Sequence, residues 1–136
     1  MDSVAALSPG LTGSAELLVG EQHTAPRVGS GRVHVLATPV MINLFEAAAL
    51  AAIEHLLAEG YQSLGTHLDV RHIAATPVGM RVRATATVLA VSGRNVTFKV
   101  EAHDEKDLIG DGTHERVVVN VAKFALRVQR KLKGET

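Results

Sequence analysis

The sequence predicts an α+β domain in which one long apolar helix is wrapped by a curved antiparallel sheet of about five strands. Three observations carry this reading. Val40 to Ala58 is an almost unbroken run of apolar and helix-forming residues. Val96, Phe98, Val100 and Ala102 alternate with Asn95, Thr97, Lys99, Glu101 and His103, the period-two signature of a strand with one wet face. Most other strand-like segments follow the helix, and no internal repeat or long linker marks a second unit, so the 136 residues read as a single domain, 1–136.

Taken in order, a turn-rich start leads to the Leu17-Leu18-Val19 run between Ser14 and Glu21, read as the first strand. Pro26 to Arg32 concentrates glycine and proline and reads as a loop. Thr38-Pro39 is a helix-start signal, a hydroxyl N-cap followed by proline at the first helical position, where its missing N–H costs nothing. Helix formers continue from Met41 through Leu57, and Gly60 stands where a left-handed C-cap is expected after Glu59. Apolar residues fall on nearly every face of this helix, so most of its circumference should be covered. The cover is supplied by Leu64 to Ile73, Arg81 to Val91, Asn95 to His103 and Leu108 to Phe124, all strand-like. Ser92-Gly93-Arg94-Asn95 and Asp104-Glu105-Lys106-Asp107 are short connections, which makes the last three strands an antiparallel meander. The basic stretch from Arg127 to Lys133 reads as a solvated terminus. An open curved sheet leaves edges to cover, and a homodimer is expected.

Composition narrows the function classes. Lys plus Arg and Asp plus Glu are equal at 14 each, and there are only three Phe, one Tyr and no Trp, which offers neither a basic footprint nor stacking platforms for nucleic acid. Without cysteine there is no disulfide, thiolate nucleophile or Cys-containing zinc site. The start Met1-Asp2-Ser3 lacks the basic and apolar regions of a secretory signal, so a cytoplasmic location is expected. The apolar run carries Asn43, Glu46, Glu54 and His55, which argues for a core helix and against membrane insertion.

Three polar residues stand out. Glu46 lies mid-helix between Phe45 and Ala47 with no basic residue nearby in sequence; an unpartnered carboxylate there would have a raised pKa suited to a general base, or it lies on a solvated stripe with Asn43. Thr38, eight residues earlier, is an N-cap or a catalytic hydroxyl, and it lies roughly 12 Å from Glu46 along the axis, a gap that an imidazole would have to span. His72 shares a strand face with Val70, pointing inward, as either a reacting group or a core histidine. Gly65-Thr66 on the same strand would admit a substrate to the backbone or mark a bulge. In His114-Glu115-Arg116, neighbouring side chains face opposite ways and cannot converge on one metal ion.

The segments Ala37-Thr38-Pro39-Val40-Met41, Leu44-Phe45-Glu46, Ser63-Leu64-Gly65-Thr66, His72-Ile73-Ala74-Ala75-Thr76-Pro77 and Gly110-Asp111-Gly112-Thr113-His114-Glu115-Arg116 resemble the fluoroacetyl-CoA thioesterase group of hotdog-fold proteins. The resemblance runs over nearly the whole chain. It implies a homodimeric hotdog fold and a Thr-Glu-His catalytic set falling on Thr38, Glu46 and His72, with Gly65, Thr66 and Arg116 as substrate-binding residues. Fluorine-selective members carry phenylalanines in the loop ahead of the threonine, whereas Gly29 to Val35 here has no aromatic residue, so the resemblance does not extend to fluoroacetyl selectivity. The expected activity is hydrolysis of a short-chain acyl-CoA thioester, without metal or other cofactor, coenzyme A being part of the substrate. The alternatives are a hotdog hydratase or dehydratase, and an acyl-CoA-binding protein without turnover.

Overall fold

A computed structural model describes residues 3–134. Five strands form one antiparallel sheet in the order β1-β3-β4-β5-β2: β1 (Thr12–Leu18), β2 (Tyr61–His72), β3 (Arg81–Ser92), β4 (Asn95–His103) and β5 (Leu108–Asn120). The expected meander is present, since β3 pairs with β4 and β4 with β5. The sheet curls around α2 (Thr38–Ile53), and β1 and β2 are its edges.

α2 buries Met41, Leu44, Phe45, Ala48, Ala49, Ala52 and Ile53, a broad stripe at three- and four-residue spacing. Against this stripe pack Val82, Ala84, Ala86, Phe98 and Val100, which makes one continuous core. Small residues set the separation. A Cβ added at Gly13 would collide with the α2 backbone at Ala48, Ala51 and Ala52, so β1 lies directly on the helix only because position 13 has no side chain. Wrapping is less complete than the apolar sequence suggested: Asn43, Ala47 and Ala51 are exposed, because an open five-stranded sheet covers one side of a helix.

Four further expectations are corrected. The N-cap of α2 is Ala37, and Thr38 is already helical, so its hydroxyl does not cap. The helix ends at Ile53 and tightens into a 3-10 turn over Glu54–Leu56; Gly60, with φ of 84°, serves the turn into β2 instead of capping α2. The expected loop from Pro26 contains α1 (Ala25–Val28). Finally, the last strand stops at Asn120, whose side-chain oxygen accepts from the Lys123 N–H at 3.0 Å and caps α3 (Val121–Leu132). The basic tail is thus helical, with Leu126, Val128 and Leu132 exposed.

Candidate active site

Thr38 and His72 come together. The Thr38 hydroxyl lies 2.7 Å from His72 Nδ1, joining the first turn of α2 to the last residue of β2. Because Thr38 is in the first helical turn without capping it, its hydroxyl is free to make this contact. The half-buried imidazole has its pKa lowered, mainly by desolvation, with the Ala74 backbone acting in the opposite direction. In the tautomer protonated at Nε2, the neutral ring accepts the threonine proton at Nδ1. The Nε2 nitrogen is buried and has no hydrogen-bond partner among the described residues. The pair lines a cavity of about 390 Å³ whose other walls include Val33, Val35, Leu36 and Ile73.

Glu46 belongs to a second cluster. Its Oε2 accepts from the Arg116 guanidinium at 3.2 Å, so the carboxylate expected to be unpartnered has a cation supplied by a residue 70 positions away. Arg116 is buried and donates from Nε to Ser63 Oγ (2.7 Å), from a second nitrogen to Ser63 O (3.1 Å), and towards His114 Nε2 (3.0 Å). His114 in turn donates from Nδ1 to the His67 carbonyl at 2.9 Å and stacks on Phe98. Burial lowers the His114 pKa, and the adjacent Arg116 charge adds to it, which agrees with a neutral ring accepting from arginine. Ser63 closes the network by donating its hydroxyl to Glu54 at 2.9 Å and its N–H to the same carboxylate at 2.8 Å.

A bulge aligns the strand that serves both clusters. β2 pairs Gly65 with Arg116 and His67 with Glu115, leaving Thr66 as the extra residue. Gly65 and His72 are seven residues apart and would face opposite sides of a regular strand; the extra residue puts both on the inner face. A Cβ at Gly65 would lie 2.6 Å from Glu46 Oε2 and 3.1 Å from His114, so glycine is what lets the strand backbone approach the carboxylate. Thr66 itself is exposed, with its hydroxyl on the Glu115 carbonyl at 3.1 Å.

Of the six residues singled out from sequence, the structure joins Thr38 to His72 and gathers Glu46, Gly65 and Arg116; Thr66 sits at the bulge between the clusters. The imidazole that shares the Arg116 guanidinium with Glu46 is that of His114, whereas His72 bonds to Thr38. Sequence reading gave no site role to His114, Ser63 or Glu54. The available signal was the two-residue spacing of His114 and Arg116, which puts both on one face of β5.

This architecture has known counterparts. A family model described as fluoroacetyl-CoA-specific thioesterase (FlK) matches residues 19–122. A fluoroacetyl-CoA thioesterase from Streptantibioticus cattleyicolor is 45% identical over 97 residues, spanning 71% of this chain and 70% of that protein. The solved structure of a threonine-to-serine variant of FlK in complex with acetyl-CoA superposes with a TM-score of 0.86 at 35% identity, covering 92% of this chain and 98% of that one. A Thermus thermophilus hypothetical protein of the thioesterase superfamily gives 0.86 at 32% identity, covering 96% and 99%. With its sheet curled on a central helix and this likeness over most of its length, the chain belongs to the fluoroacetyl-CoA-specific thioesterase family of hotdog-fold proteins and is a thioester hydrolase.

Proposed function

We propose that this protein hydrolyses short-chain acyl-CoA thioesters with Thr38, His72 and Glu46 as its reacting groups. The observation that carries the proposal is the Thr38–His72 hydrogen bond at the wall of a cavity, with a neutral imidazole whose second nitrogen is left without a partner. The Thr38 hydroxyl holds the His72 ring, and the Thr38 N–H, at the first position of α2 and ahead of the intrahelical bonds, donates to the thioester carbonyl. Glu46 acts on the acyl carbon, either directly or through water, and His72 passes a proton to the departing thiolate. Water and thioester become acid and free thiol, with CoA entering as part of the substrate.

The Arg116 contact gives Glu46 a fixed direction, and Gly65 brings the β2 backbone against it. A homodimer paired along β2 completes the proposal: this strand is a sheet edge, and Leu64 and Leu68 on it are 38% and 39% exposed, so a second copy would cover them. Thiol release from acetyl-, propionyl- and butyryl-CoA is the direct test. Glu46→Ala should remain folded and lose at least about a hundredfold in turnover, the lower range for an acid/base group. Undiminished hydrolysis by that variant would remove Glu46 from the mechanism.

A further inference from the structure

We infer that the cavity beside Thr38 and His72 selects acyl groups ending in a carboxylate, and that Arg32 recognises that carboxylate. The inference rests on the thioester hydrolase reading and specifies its substrate class. Val33, Val35, Leu36 and Ile73 give the cavity apolar walls suited to a short carbon chain. Among the described residues, Arg32 is the one lining residue with a permanent charge, and no carboxylate lines the cavity to balance it. Its guanidinium has no ion-pair or hydrogen-bond partner among the described residues. Glu21, on the preceding segment, is engaged by His34 Nε2 at 2.6 Å.

The loop that presents Arg32 is tied down at both ends. Ser30 N–H donates to Ala25 O at 3.0 Å, Ala25 N–H to Val35 O at 3.0 Å, and Leu36 N–H to Thr76 O at 2.9 Å. Arg32 and the Thr38–His72 pair therefore belong to one backbone-braced cavity, and a substrate with its thioester at Thr38 can extend its far end towards the arginine. An uncharged acyl chain would use only the apolar walls. A terminal carboxylate also meets the planar donor fork of a guanidinium, which binds it through two parallel hydrogen bonds.

Succinyl-CoA and butyryl-CoA share a four-carbon acyl backbone and differ by a carboxylate in place of a methyl, so their kcat/KM ratio isolates the effect. In the unaltered protein the ratio should exceed roughly ten, the discrimination expected of a charge-assisted contact in an open cavity. Arg32→Ala should bring the ratio to about one or below, and Arg32→Lys should retain part of it. A ratio at or below one in the unaltered protein overturns the inference while leaving thioester hydrolysis intact. A ratio preserved in Arg32→Ala, with both substrates slowed together, also overturns it and assigns the guanidinium to the CoA phosphates. Failure to release thiol from any ester is the separate result that would sink the hydrolase reading and this inference with it.

Discussion

Thr38 and His72 meet through a single hydrogen bond beside an open cavity, with one ring nitrogen unpartnered, whereas Glu46 is held by an arginine whose donors also engage Ser63 and His114. The first cluster joins a helix start to a strand end, where side chains can shift by a bond rotation. The second is stitched between the middle of α2 and two paired strands, with Arg116 and His114 buried. The difference separates two tasks: a loosely partnered imidazole can gain and lose a proton, while a permanently charged guanidinium bonded on all three nitrogens can only hold a carboxylate in place.

That contrast can be broken by mutation. His72→Gln should lower kcat at least about a hundredfold while the melting temperature stays close to that of the parent, because the ring makes only one side-chain hydrogen bond. A large fall in melting temperature would mean that the pair is structural. Arg116→Met should do the reverse in kind and cost about 2 kcal/mol in denaturant unfolding, since it removes a buried cation from Ser63 and a half-exposed Glu46. Unaltered stability would dissolve the distinction between the clusters.

A pH series sharpens the comparison with a smaller effect. His72 and His114 both titrate below the ordinary histidine value of 6.5 when folded. The unfolded chain therefore binds more protons between the folded pKa and 6.5, so their contribution to stability is complete above 6.5 and is lost as pH falls through the folded values. If His72 works as a neutral imidazole, kcat/KM should be flat near neutrality and decline on an acidic limb with its midpoint below 6.5. A midpoint above 6.5 in the parent would contradict the neutral-ring assignment.

The fold was legible where physical chemistry is local. Alternation in β4, the two polar turns and the helix-forming run from Val40 each specify their element without reference to the rest of the chain. The end of β5 was less so, because Val117 to Val121 favours a strand by residue type and only the Asn120 cap announces α3. Thr38 misled in a different way: hydroxyl followed by proline is a proper helix-start pattern, yet Ala37 is the cap and the hydroxyl turns to His72. The partner of Glu46 could not be read at all from neighbouring residues, because Arg116 reaches it through strand pairing across the sheet.

The extra residue in β2 also bears on how such a chain can change in length. Inward residues are odd-numbered up to Gly65 and even-numbered from Leu68 onward, so the site is read in two phases. Excising Thr66 would leave every cross-strand partner of β5 in register, whereas excising a residue between it and His72 would turn part of the strand inside out. A deletion within the paired stretch from Gly65 to His72 thus has one tolerated address, and a descendant sequence shortened there could keep both its glycine and its imidazole facing the core.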